Sequence, residues 1–160
     1  MVLSFVCLIA LVNWCLERGQ FTFLYFSQGS DAANEIIQTA PLTFQRIVGW
    51  VFYPFAWLMG IPKEDIFNIS TLLGEKIVLN EFIAYLDLIK LQEQLNPRSF
   101  TIATYALCGF ANFGSVAVQI GGIGSMVPSR RSDIVQLSMR SMIAGTLTAF
   151  STACLVGMLI

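Results

Sequence analysis

The chain has no histidine in 160 residues, which removes the usual metal ligand and the usual general base. Charge is scarce too. Charged residues make up 12%, against about 25% in an ordinary soluble domain, so half of the expected solvated surface is missing. Nine basic and ten acidic residues nearly cancel, leaving no field to attract nucleic acid. Cys7, Cys15, Cys108 and Cys154 have no C-x-x-C spacing and lie in apolar runs, so they read as buried free thiols. The apolar start lacks a basic leader and a small-residue cleavage site, and so reads poorly as a signal peptide. What remains is apolar: 56% hydrophobic, with a mean hydropathy of +0.70. The length suits one domain, and the composition suits an all-α membrane protein.

Punctuation divides the chain into segments. Residues 1–16 are a first membrane helix, closed by Glu17-Arg18-Gly19-Gln20. Residues 17–40 form a cytoplasmic or interfacial segment, with the aromatic run 21–26 at headgroup level and Asp31 placed as an N-cap. Residues 41–61 are a second membrane helix that Pro54 bends without ending. Residues 62–65 are a loop, and Asn68-Ile69-Ser70 is a glycosylation sequon, a short and common pattern. After Asn96-Pro97-Arg98, residues 100–127 carry no charge but hold Gly109, Gly114, Gly121, Gly122 and Gly124. Each glycine costs about 1 kcal/mol in a helix interior relative to alanine, so this segment reads as a broken membrane helix. A last membrane helix covers residues 134–160. Its Ser141, Gly145, Ala149, Ala153 and Gly157, four apart, let another helix approach closely. Arg130, Arg131 and Arg140 mark the cytoplasmic side. By alternation Arg18 and Arg46 fall inside, the Asn68 sequon falls outside, and the C-terminus is extracellular.

The stretch from Gly74 to Leu88 organises the chain. On one continuous helix at about 100° per residue, Glu75, Lys76, Asn80, Asp87 and Lys90 form one polar face. Glu81 points away from them, among Ile77, Val78 and Tyr85. A carboxylate on the apolar side needs a partner, a raised pKa or a break near Asn80-Glu81. The stretch is too charged for a simple span. A re-entrant helical hairpin over residues 71–95, buried in protein, accommodates both its length and its charges.

A second cluster lies at Cys108-Gly109-Phe110-Ala111-Asn112-Phe113-Gly114-Ser115. Asn112, Ser115 and Gln119 share one face if the backbone stays helical. The Asn112 amide and the Ser115 hydroxyl, next to glycines, fit recognition of a hydroxylated ligand; they fit interhelical glue equally well. Adding Glu81 favours the ligand, because a carboxylate accepts two hydroxyl protons through charge-assisted bonds, and the adjacent hydroxyls of a ribose match that. The sequence offers no nucleophile–base pair, no metal cluster and no phosphate-binding glycine loop, so these residues do not make a catalytic set.

The run Gly74-x-Lys76-x-x-x-Asn80-Glu81-Phe82-Ile83-Ala84-Tyr85 closely resembles the signature of the concentrative nucleoside transporters, G-x-K-x-x-x-N-E-F-V-A-Y, with isoleucine in place of valine. The run from Ala103 through Asn112 with Gly114-Ser115, and Gly121-Gly122 before Pro128-Ser129-Arg130-Arg131, is similar to that family as well. The resemblance implies a trimeric plasma-membrane importer of nucleosides coupled to sodium or protons. It implies that Glu81, Asn112 and Ser115 bind the ribose and that Phe82 sits beside the site.

The resemblance covers roughly the family's C-terminal half. The earlier hairpin and broken helix that read the nucleobase and hold the coupling ion have no match here, so no coupling ion is expected on this chain's own residues. The alternative is a helix-packing or assembly protein that has lost transport, with Glu81, Asn112 and Ser115 joining segments. The expectation is that this chain alone does not transport. Sodium-driven uridine uptake by a preparation reconstituted from it overturns that.

Overall fold

The computed structural model describes residues 2–28 and 41–160, with Asn34 and Ile36 between them. Every regular element among the described residues is helical: α1 (Val2–Gln28), α2 (Phe44–Leu58), α3 (Ile66–Val78), α4 (Glu81–Lys90), α5 (Pro97–Leu107), α6 (Phe113–Met126), a 3-10 turn (Pro128–Arg130) and α7 (Arg131–Leu159). The position proposed for an Asp31 cap lies outside the described residues.

The first helix does not close at residue 16. It runs through Glu17-Arg18-Gly19-Gln20 and the aromatic run to Gln28, with Arg18 and Gln20 finding partners without breaking the helix. Arg18 lies over the Trp14 ring one turn back, 5.6 Å from its centroid. Gln20 accepts from the Leu42 N–H at 2.7 Å. Asn13 accepts from Phe44 N at 2.8 Å and donates to Gln45 Oε1 at 2.9 Å. These bonds pin α1 to the start of α2. Most of the rest of α1 is bare, with Leu11, Trp14, Phe23 and Phe26 exposed, as on a helix whose solvent is lipid or further protein.

The second helix is shorter than residues 41–61: Thr43 caps it, Pro54 lies inside it, and Gly60 at φ 82° turns the chain after it. It makes the most extensive helix pair of the fold with α3. A Cβ on Gly74 would lie 2.3 Å from Gln45 O, and one on Gly49 would lie 2.9 Å from Ser70 O. The backbones therefore touch where both residues are glycine.

The hairpin begins earlier than residue 71, at Ile66, and breaks at Leu79-Asn80. Its arms of 13 and 10 residues reach only about 20 and 15 Å, too short to cross a hydrocarbon layer of about 30 Å. The break also dissolves the single polar face. Glu75, Asp87 and Lys90 line one groove with Arg46, whereas Lys76 turns into the core and is fully buried. Asn68 and Ser70 of the sequon sit in α3, with Ser70 fully buried, so the tripeptide is not the accessible loop that glycosylation requires.

The broken helix is interrupted at residues 108–112, between α5 and α6. Gly121, Gly122 and Gly124 do not interrupt it; they lie within α6. The last helix starts at Arg131, three residues before the expected boundary. With the preceding turn it is long and apolar enough to cross a membrane. Its small-residue stripe packs over the C-terminal part only: Ala149, Ala153 and Gly157 are buried, with a Cβ on Gly157 meeting Met59 O at 2.9 Å, whereas Gly145 is half-buried and Ser141 exposed. The core joins Ala56, Ile69, Leu73, Leu88, Ile102 and Phe150 from five helices. The cysteines are free, but Cys7, Cys15 and Cys108 are exposed and Cys154 only half-buried. The apolar runs carrying them present bare faces as well as packed ones.

Gly74→Ala and Gly49→Ala force the α2–α3 backbones apart and cost about 1–3 kcal/mol each, read as a fall of several degrees in the melting temperature of purified protein. Gly122→Ala, with nothing within 4 Å of its Cβ, leaves that temperature unchanged or raises it.

Candidate functional site

Two interrupted helices restart side by side. At the hairpin tip, Asn80 is extended (φ −166°, ψ 168°), and its side chain accepts from Ile83 N at 2.9 Å, capping α4. At the second break, Asn112 is extended (φ −140°, ψ 163°) and caps α6 by accepting from Ser115 N at 2.7 Å. Asparagine suits both places because its short side chain satisfies the first orphan N–H groups of a helix. Gly114 leaves room for that cap: a Cβ there would lie 3.2 Å from Asn112 Oδ1.

Glu81 is the first residue of α4, so its carboxylate sits at the positive end of that helix. Asn112 Nδ2 donates to Glu81 Oε2 at 2.7 Å, across 31 residues of sequence. Asn112 is 2% exposed. Its amide works at both ends, with the oxygen capping its own helix and one N–H holding the carboxylate of the other. The partner that the carboxylate required is this amide, and the break that would relieve its position is present as well.

Glu81, Phe82, Asn112 and Ser115 all line one cleft of about 490 Å³, within the range of small-molecule sites. Phe82 is 67% exposed and Phe110, from the second break, 80%, so two aromatic rings border a polar floor. Gln119 lines the cleft one turn beyond Ser115. A smaller hollow of about 210 Å³ lies against α7, walled by Ser115, Gln119, Ser138 and Ser141. The groove holding Glu75 and Asp87 shares no residue with the cleft. Among the described residues no three His, Cys, Asp or Glu side chains gather as metal ligands.

Phe110 and Gln119 were not assigned to the site from the sequence. Gln119 shared a helical face with Ser115, the signal that could have placed it. Phe110 had no such signal, because its exposure depends on the backbone leaving the helix at residue 108. The cleft offers a carboxylate acceptor, a hydroxyl, an amide and two aromatic faces. That set suits a neutral molecule with adjacent hydroxyls and a flat ring.

Comparison with known proteins agrees in kind. Residues 1–157 match the family described as Na+ dependent nucleoside transporter C-terminus. The chain is 45% identical to solute carrier family 28 member 3 of Rattus norvegicus, over 99% of this chain and 23% of that protein. It is 39% identical to the uncharacterized transporter YutK of Bacillus subtilis, over 100% of this chain and 36% of that protein. A solved structure of CNTnw in an intermediate state superposes with a TM-score of 0.80 at 37% identity, covering 99% of this chain and 37% of that one. CNTnw in an inward-facing substrate-bound state gives 0.74 at 36% identity, covering 97% and 35%. The chain thus spans between 23% and 37% of the length of these relatives. On the match over residues 1–157 and these likenesses, the chain belongs to the Na+-dependent nucleoside transporter family, in the part described as its C-terminus.

Proposed function

We propose that this chain supplies the ribose-binding side of a nucleoside importer driven by sodium or protons. The observation that carries the reading is the 2.7 Å bond from Asn112 to Glu81, which holds a carboxylate at the meeting point of two interrupted helices beside a cleft of ligand size. Adjacent ribose hydroxyls donate to the Glu81 carboxylate, and the Ser115 hydroxyl donates to or accepts from the same sugar. Phe82 covers an apolar face of the ligand. Asn112 fixes the carboxylate with one N–H of its amide, and the second N–H of the same NH2 group is a donor for the sugar.

The proposed setting is the plasma membrane, as a homotrimer when the whole transporter is assembled. The short arms α3 and α4 enter the bilayer and return, while α5 and α6 together make one interrupted crossing. Arg130, Arg131 and Arg140 then lie on the cytoplasmic side and the C-terminus outside. The coupling ion and the nucleobase are handled by residues outside this chain, so a purine or pyrimidine preference is not set here.

In the intact transporter, Glu81→Gln lowers nucleoside uptake by about tenfold or more while membrane insertion is retained, since a hydrogen bond to a charged group is worth about 1.5–3 kcal/mol. Unchanged uptake counts decisively against the reading. Loss of folding or of oligomeric state in place of ligand binding supports the assembly reading.

Asn112→Ser keeps a capping side chain but removes the amide that holds Glu81. Its uptake KM for a ribonucleoside rises about tenfold, with a smaller rise for the 2′,3′-dideoxy analogue. An equal rise for both sugars shows that the carboxylate does not read the hydroxyls.

A further inference from the structure

The C-terminal end of α5 leaves four carbonyls, those of residues 104–107, without partners in the α-helical pattern. All four are taken. Tyr105 O accepts from Cys108 N at 3.2 Å and Leu107 O from Gly109 N at 2.7 Å, the tightened turn that opens the break. The other two are taken by the hairpin. Lys76 Nζ donates to Ala106 O at 3.0 Å, and the Tyr85 hydroxyl donates to Thr104 O at 2.6 Å. Lys76 stands near the end of α3 and Tyr85 in α4, so each arm of the hairpin sends one donor to the same helix end.

The Lys76 contact is costly unless it is used. The side chain is fully buried, where an unpaired ammonium is strongly disfavoured. It sits at the negative end of the α5 dipole, in Coulombic range of Glu81. Gly109, in the break itself, lies close by: a Cβ there would be in ordinary contact with Nζ at 3.5 Å. Along the chain, Lys76 precedes Glu81 by five residues and Ala106 precedes Asn112 by six. A bond between Lys76 and Ala106 therefore sets the distance between the two breaks just ahead of the residues that meet in the cleft.

We propose that Lys76 and Tyr85 are positioning residues for the Glu81–Asn112 pair: by donating to the Ala106 and Thr104 carbonyls they fasten the hairpin to the broken helix, so that the two breaks move as one body. This deepens the nucleoside reading and rests on it for its transport readout. It also divides the signature by task. Gly74 lets α3 lie against α2, Lys76 and Tyr85 hold the broken helix, Asn80 caps, and Glu81 faces the ligand.

The test uses Lys76→Met, which removes the ammonium at similar length, and Tyr85→Phe, which removes one hydroxyl. Two quantities are read: nucleoside uptake per inserted molecule, and amide hydrogen exchange of the purified protein without ligand. The expected result is a KM raised about tenfold in Lys76→Met and several-fold in Tyr85→Phe, with maximal uptake per inserted molecule held within about twofold. Exchange at residues 80–84 and 108–115 accelerates together in both variants, while residues 146–156 of α7 are unchanged. An unchanged KM in inserted protein overturns the proposal, as does faster exchange at one break alone or spread evenly over the chain. If Lys76→Met fails to insert, Tyr85→Phe decides by the same criteria. The exchange readout needs no nucleoside. Coupled exchange with Glu81→Gln still transporting would sink the ribose reading and leave the fastening intact; uncoupled exchange with Glu81→Gln inactive would do the reverse.

Discussion

A helix that stops within an apolar medium presents backbone groups that the medium cannot satisfy, and this chain stops two helices in the same place. The whole site follows from how those groups are answered. The restarting ends are capped by Asn80 and Asn112, each through a bond to the N–H three residues on. The Asn112 amide has a second hand left over, and that hand takes Glu81. A polar floor results because the breaks had to be satisfied, and a carboxylate is tolerated there because a helix N-terminus and an amide both favour it.

Around that point the packing depends on close backbone approach more than on large side chains. Gly49 and Gly74 let α2 and α3 touch, and Gly157 lets the end of α7 reach Met59. Arg98 donates to Gly157 O at 2.6 Å, and the Asp65 carboxylate accepts from Asn96 N at 3.1 Å, so the turns at that end of the bundle are tied to one another. Without a strong hydrophobic drive between helices in lipid, small residues and such polar ties supply the cohesion. The exposed apolar faces of α1 and α7 are consistent with a part of a larger membrane assembly.

Several features were legible in the residues themselves. The C-terminal part of the small-residue stripe of α7, from Ala149 to Gly157, packs as its spacing required, and the misfit of Glu81 on a continuous helix pointed to the break that exists. The glycines misled in part. Gly121, Gly122 and Gly124 lie inside α6, since a glycine lowers helix stability by only about 1 kcal/mol, whereas the real interruption has Asn112 ready to cap the restart. Glu17-Arg18-Gly19-Gln20 misled for a related reason: it looks like a stop, but Arg18 is used by Trp14 and Gln20 by Leu42 just ahead of α2.

The chain by itself determined that these segments are helices, that they belong in a membrane, and which family signature they carry, because composition, period and motif are properties of order along the polymer. Only the tertiary structure decided that Glu81 meets Asn112, that Lys76 leaves the polar face to reach Ala106, and that Phe110 and Gln119 border the cleft. Helical periodicity gives a side chain's direction about its own axis. Which carbonyl or amide lies in that direction depends on the crossing of another helix some 30 residues away, and on where each helix breaks.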